Sequence, residues 1–124
     1  MNEKITLVLD WPPSLNTYRA VSNNKLVTSK DGNEYKHLVQ YAVLMQGSPQ
    51  IFGQVTLTEY FYCKTNARYD IDNFRKASRD CLKKCGVIED DHLIFEDHGY
   101  KMPKDPGNPR VEIVLEAWKG YPER

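Results

Sequence analysis

Four aspartates and one lysine are the residues whose types and spacing could do chemistry. Asp70 and Asp72 flank Ile71 in the run Arg68-Tyr69-Asp70-Ile71-Asp72-Asn73-Phe74-Arg75-Lys76, and Asp90 and Asp91 follow in Glu89-Asp90-Asp91. A backbone that is extended, or just entering a helix, turns Ile71 to the core and points both flanking carboxylates outward. Carboxylates gathered at one point repel each other and raise each other's pKa unless a cation sits between them. Oxygen ligands of this kind suit hard ions, Mg²⁺ or Mn²⁺, which keep positions open for water and phosphate. The matching chemistry is metal-assisted phosphodiester hydrolysis, helped by a cation that holds the non-bridging phosphate oxygens. Lys76 lies four residues after Asp72, on the same face of any helix there, and is the candidate for that cation.

The elements that must position these residues follow from patterning. Lys4 to Asp10 alternates apolar and polar as a strand, with Ile5, Leu7 and Leu9 on one face, and Trp11-Pro12-Pro13-Ser14 ends it. A loop or irregular hairpin carries Asn16, Tyr18 and Arg19, and Lys25 to Thr28 suits a short strand. Ser29 or Asp31 can cap a helix to about Gln46, with Tyr35, Leu38, Val39, Ala42 and Met45 as its apolar stripe and Gly47-Ser48-Pro49 as its stop. Gln54 to Lys64 reads as a strand. Asp70 or Asp72 opens a second helix that ends at Gly86, with Phe74, Ala77, Cys81, Leu82 and Cys85 at helical spacing. A turn from Val87 to Asp91, a helical turn or strand from Leu93 to Tyr100, a loop over Pro103 to Pro109 and a strand from Val111 to Trp118 complete the chain. The expectation is one α+β domain over residues 1–124, a mixed β-sheet with two main helices packed mainly on one face.

This arrangement sets a geometric condition. A helix of roughly 14 residues at 1.5 Å each separates its ends by about 20 Å. The two acid pairs therefore meet only if the segment from Val87 to Leu93 runs back beside the helix, or if a second chain supplies one pair.

Charge narrows the partners. Of the 124 residues, 17 are basic and 17 acidic, so a uniformly basic nucleic-acid coat is excluded. The charges are nonetheless segregated: Lys64 to Lys84 holds seven basic and three acidic residues, whereas Cys85 to Gly99 holds five acids and no Lys or Arg. Adjacent blocks of opposite sign fit a cation-dependent site on a polyanion, and they also fit two solvated surfaces. No apolar run reaches membrane-spanning length. There is no Gly-rich phosphate loop, so no nucleotide cofactor is expected. Cys63, Cys81 and Cys85 make no disulfide framework, and the start lacks the pattern of a secretion signal, so a cytoplasmic setting is expected.

Each of these residues also has an ordinary structural role. Asp caps helix starts, Asp72 with Lys76 is a common i, i+4 pair, and Asp90-Asp91 suits a turn. Cys81 and Cys85 fit a buried stripe better than a metal site, and His92 fits a solvated turn. Spacing alone favours these roles.

The ordered set Trp11-Pro12-Pro13-Ser14, Asn16, Tyr18, Arg68-Tyr69-Asp70-Ile71-Asp72-Asn73, Lys76-Ala77, Gly86-Val87-Ile88-Glu89-Asp90-Asp91 and Lys101-Met102-Pro103 resembles the RusA family of Holliday junction resolvases. The resemblance runs from about Asp10 to Leu115. It implies a homodimeric endodeoxyribonuclease dependent on Mg²⁺ or Mn²⁺ that resolves four-way DNA junctions by paired symmetric nicks in recombination and repair. By position, Asp70, Asp72 and Asp91 match the family's metal-binding acids, Asp90 an accessory acid and Lys76 an essential lysine. Asn16, Tyr18, Arg68, Asn73 and Lys101 are the candidates for contacting DNA. One departure stands out: the family often has a basic residue directly before the first acid, where this chain has Tyr69, and alternation turns Arg68 to the other side. The rival readings are a non-cleaving branched-DNA-binding module of the same fold and a small protein-interaction domain.

Overall fold

In a computed structural model, which describes residues 4–124, a four-stranded sheet carries its helices on one face. Strand β1 (Lys4–Asp10) buries Ile5, Leu7 and Leu9 and exposes the residues between them, as the alternation predicts. Ser14 caps a single turn, α1 (Leu15–Tyr18), which leads into the hairpin of β2 (Arg19–Ser22) and β3 (Lys25–Thr28). The hairpin tip needs left-handed backbone at two successive positions, and Asn23 and Asn24 supply it at φ 52° and 62°.

Helix α2 (Lys30–Met45) is capped by Ser29, whose hydroxyl accepts from the Gly32 N–H. Gly32 is needed for close approach: a Cβ there would stand 2.6 Å from the Tyr18 carbonyl oxygen. The buried stripe is Gly32, Tyr35, Val39 and Val43, a narrow row at spacings of three and four. Of the other expected members, Ala42 is only partly buried against the core and Leu38 and Met45 are 50% and 66% exposed, while Val43 joins the row. The sheet accepts one row of side chains from this helix, so the wider stripe has nothing to pack against.

Strand β4 (Val55–Tyr62) alternates buried and half-buried residues along its length. Helix α3 (Asp72–Lys84) buries Ala77, Ser78, Cys81 and Leu82. It ends at Gly86 (φ 77°), where the Val87 N–H reaches back to the Leu82 carbonyl and closes the last turn. A 3-10 turn (Asp91–Leu93) leads into β5 (Ile94–Lys101), and β6 (Arg110–Ala117) completes the sheet in the order β1-β6-β4-β5. β4 and β5 run parallel with α3 between them in sequence, and the other pairs are antiparallel, so the sheet is mixed as expected.

Ile5, Leu7, Leu9, Val55, Leu57, Phe61, Val111, Ile113 and Leu115 form the core with α2 and α3. The opposite sheet face carries Thr56, Thr58, Tyr60, Glu112 and Val114, all partly exposed. One inward position breaks the apolar rule. Glu59 shares its parity with Leu57 and Phe61 and is fully buried.

Candidate active site

The Asp-x-Asp turn is anchored by aromatic rings. The Trp11 ring centroid lies 6.0 Å from that of Phe61, 5.4 Å from Tyr69 and 5.1 Å from Phe74, and the Lys101 ammonium sits 4.7 Å from the centre of the Tyr69 ring. This wedge ties the loop before α3 to both the sheet and the helix. Within the turn, Asp70 Oδ1 accepts from the Asp72 N–H at 3.1 Å, and the Asp70 carbonyl accepts from Asn73. Ile71 packs against the core edge, and both aspartates are exposed. Gly99 of β5 makes room for this turn: a Cβ there would meet the Ile71 side chain at 2.9 Å and the Arg75 guanidinium at 3.1 Å.

The chain after α3 does run back beside it. Asp72, Arg75, Lys76 and Arg79 from α3 line one cavity of about 340 Å³ together with Asp91 and Asp97. Asp91, at the start of the 3-10 turn, lines the same cavity as Asp72 of α3, so one acid of each pair borders it within one chain. Asp91 Oδ1 is buried and has no hydrogen-bond partner among the described residues. An oxygen in that state calls for a proton donor or a cation.

The four acids are not used alike. Asp72 and Asp91 share the cavity. Asp70 does not line it and spends one carboxylate oxygen on the turn. Asp90 turns to Lys83 at 3.6 Å and His92 at 3.6 Å. Among the described residues, no three His, Cys, Asp or Glu side chains converge as a ready-made cage. Two carboxylates are still a sufficient protein share for Mg²⁺ or Mn²⁺, since Mg²⁺ typically keeps several waters and takes further oxygens from phosphate. The hard-oxygen pair, one oxygen of it orphaned, fits such an ion.

Lys76 borders two cavities. Besides the acidic one, it lines a hollow of about 480 Å³ with Tyr18, Arg19, Leu26, Val27, Thr28 and Asp80. Its ammonium is 3.8 Å from Asp80 Oδ1, so its partner within α3 is Asp80 and not Asp72. Asp80 also accepts from the Tyr18 hydroxyl at 2.5 Å and pairs with Lys84 at 3.0 Å. Burial would raise the Asp80 pKa, but these donors outweigh it and hold the carboxyl below its ordinary value. Tyr18 is only 2% exposed, so its ring is not open to a base, and the structure gives it the task of fixing Asp80.

Beneath the cavity lies a charged network. Glu59 accepts from Arg75 Nε at 2.8 Å and from the Ser78 hydroxyl at 2.9 Å, and Arg79 stands 3.8 Å away. Asp97 pairs with both arginines, with Arg79 at 2.6 Å. Burial raises the Glu59 pKa despite these partners. Burial alone would lower the Arg75 pKa, yet Glu59 and Asp97 together raise it. The motif reading missed Glu59, Arg75, Arg79 and Asp97. The signal for Glu59 was present: it is a charge at an inward position of a well-alternating strand.

Of the DNA candidates, Arg68 and Lys101 line a third hollow of about 320 Å³ with Tyr69 and Lys104, apart from the acidic cavity. Asn73 is exposed on the first turn of α3 and Asn16 on α1. The cysteines are free, with Cys81 fully buried and its thiol pushed up to about 12 by burial. Among the described residues, no helix is long and apolar enough to cross a membrane.

Comparison with known proteins adds an independent line. The profile of one family, described as Endodeoxyribonuclease RusA, matches residues 10–116. A protein of Enterobacteria phage 82 named crossover junction endodeoxyribonuclease rusA is 31% identical over 112 residues, covering 88% of this chain and 91% of the relative. Proteins of the same name from Escherichia coli O139:H28 and Escherichia coli K12 are 29% and 28% identical over 114 residues, each covering 89% of this chain and 92% of the relative.

Proposed function

The chain belongs to the endodeoxyribonuclease RusA family, and on that premise we propose that it is a divalent-metal-dependent endonuclease. Its substrate in this reading is a four-way (Holliday) DNA junction, resolved by paired symmetric nicks during recombination and repair. The observation that carries the mechanism is the cavity in which Asp72, the partly orphaned Asp91 carboxylate and Lys76 meet.

Asp72 and Asp91 would hold Mg²⁺ or Mn²⁺, with Asp70 two residues earlier in the same turn. When bound, such an ion polarises the scissile phosphate and lowers the pKa of a water. The chain's own groups do the rest. Lys76 offers its ammonium to a non-bridging oxygen, where negative charge grows in the transition state. The aromatic wedge around Trp11 keeps the Asp70-Asp72 turn rigid, so the acids need not reorganise. Arg68, Lys101, Asn73 and Asn16 lie outside the cavity, where they can hold the DNA backbone and set register without taking part in chemistry.

A homodimer suits this substrate. Two sites related by a two-fold axis match opposed strands of a junction with the same symmetry. The partly exposed sheet face opposite the helices offers area for a second copy.

The test is cleavage of an end-labelled four-way junction in Mg²⁺, Mn²⁺ or EDTA, with binding followed in parallel. The wild type should cut only with divalent ion. Asp72→Asn and Asp91→Asn should abolish cutting and retain binding. Asp70→Asn should do the same, because an amide oxygen can still accept from the Asp72 N–H, so loss there reports charge. Asp90→Asn should cost less, since Lys83 and His92 hold that carboxylate. Undiminished nicking in excess EDTA would sink the metal mechanism, and tight binding without cutting in either metal would favour a non-cleaving module.

A further inference from the structure

The cavity wall holds three cationic side chains, Arg75, Lys76 and Arg79, together with Asp72, Asp91 and Asp97. The two arginines are bound very differently. Arg75 is 13% exposed, donates its Nε to buried Glu59 at 2.8 Å and also pairs with Asp97. Arg79 is twice as exposed, at 26%, and lies 3.8 Å from Glu59. Its one close partner is Asp97 Oδ2, at 2.6 Å from Nη2. Its Nε is buried and has no partner among the described residues.

A buried guanidinium N–H without an acceptor is unfavourable, and the cost is relieved when an oxygen arrives. The guanidinium fork matches carboxylate and phosphate oxygens in the same planar, two-point manner. Asp97 therefore occupies a position against Arg79 that a phosphate could take. Sheet register explains the placement: Asp97 and Gly99 pair with Leu57 and Glu59, on the side of the sheet that α3 covers.

We propose that Arg79 is a phosphate-binding residue of this site and that Asp97 is its internal placeholder. When a DNA phosphodiester enters the cavity, Arg79 turns from Asp97 to a non-bridging oxygen. Asp97 is not left bare, because Arg75, anchored from below by Glu59, keeps it paired. Lys76 then meets the phosphate as a point charge and Arg79 as a fork. The ligand is the anionic backbone and not a base, so no sequence preference arises from this contact. The proposal rests on the nuclease reading, and it adds a second cation that the Asp-Lys motif does not contain.

The experiment measures binding of a fluorescent four-way junction across a range of salt, in EDTA and in Ca²⁺, with thermal melting on the same preparations. Arg79→Gln should weaken binding about tenfold and reduce the magnitude of the salt slope by about one, the signature of one lost phosphate contact. Arg79→Lys should keep most of the slope and regain part of the affinity. Asp97→Asn should tighten binding, because it releases Arg79. A merely structural pair predicts the opposite sign, with Asp97→Asn loosening the fold and weakening binding. Unchanged affinity and slope in Arg79→Gln, or weaker binding in Asp97→Asn, overturns the proposal. The two readings fail separately: a wild type that neither binds nor cuts junctions removes the nuclease reading, whereas normal cutting and binding by Arg79→Gln removes only this one.

Discussion

Replacing Lys76 with alanine separates catalysis from packing, because the structure fixes what each would cost. The structural cost is small. Lys76 makes one i, i+4 pair with Asp80 at 3.8 Å, and its side chain is 35% exposed. Such a pair contributes about 0.3–0.5 kcal/mol. Asp80 would keep its bonds to Tyr18 and Lys84, so no buried charge is stranded. At roughly 2.1 cal/mol/K of unfolding entropy per residue, a domain of this size would lose under about 2 °C in Tm. The catalytic cost is much larger. A cation that stabilises charge growing on the phosphate is typically worth about 10²–10³ in rate, or about 2.7–4 kcal/mol. The assay is single-turnover junction cleavage with saturating enzyme and Mg²⁺, with Tm measured on the same sample. Lys76→Ala should cut at least about a hundredfold more slowly and melt within about 2 °C of wild type. Lys76→Arg should recover only part of the rate, since its planar fork places charge differently from an ammonium. Cutting within a few-fold of wild type would refute the catalytic role. A drop in Tm well beyond 2 °C would refute the structural estimate and leave the rate loss to misfolding.

Glu59→Gln preserves volume but removes a fully buried charge that faces Arg75 from within the core. Breaking a buried pair costs about 3–5 kcal/mol, and Asp97 still holds both guanidiniums, so thermal or urea unfolding should show a loss of about 2–3 kcal/mol; an unchanged midpoint would mean the network is neutral for stability. Asp80 has a depressed pKa, so its stabilisation is present above the ordinary value of 3.8 and is lost as pH falls through the lower folded value. The stability gap between wild type and Asp80→Asn, measured by urea unfolding, should therefore be open at pH 7 and close below about pH 4, and a gap independent of pH would discount the Tyr18 and Lys84 contacts.

How much of this was legible depends on the kind of signal. Period-two alternation in Lys4–Asp10 and in β6 fixed the strands well, because one face is core and the other is not. Helix α3 was equally clear: its buried apolar residues, Ala77, Cys81 and Leu82, are interleaved with charged ones. Helix α2 was less so, because Leu38, Leu44 and Met45 are apolar and yet exposed, and composition cannot tell an apolar surface from a buried stripe. In the site, the acids and Lys76 were named by spacing and order. What spacing could not provide was the reversal after Gly86 that brings Asp91 to Asp72, or the division of labour among the acids. Those depend on where a 3-10 turn begins and on Lys83 capturing Asp90. The Arg75–Glu59–Arg79–Asp97 network was legible only at Glu59, an inward charge in an alternating strand; its partners come from α3 and β5 through tertiary packing and sheet register, which no local pattern encodes.

The neutral chain and the anionic substrate are reconciled at the scale of the cavity. Glu59, Asp72, Asp91 and Asp97 are four acids set against Arg75, Lys76 and Arg79, so the site and the network beneath it carry a net single negative charge. That charge disfavours a phosphate and favours a divalent cation. A bound divalent ion would bring the balance to a net single positive charge, so ion and DNA should each raise the other's affinity by the same factor. Coupling between sites is commonly about 5- to 150-fold, and neighbours in one cavity, little screened, belong within that range. Ca²⁺, a hard ion that takes oxygen ligands, should then tighten junction binding by wild type about tenfold at fixed ionic strength, without cutting. Asp72→Asn and Asp91→Asn remove one negative charge each. They should bind junctions more tightly than wild type in EDTA and gain less from Ca²⁺. Titrations of labelled junction with and without Ca²⁺ measure both effects. Equal wild-type affinity in EDTA and Ca²⁺ would show that the cavity charge does not govern DNA binding, and would place the affinity with Arg68, Lys101 and Lys104 in the separate basic hollow.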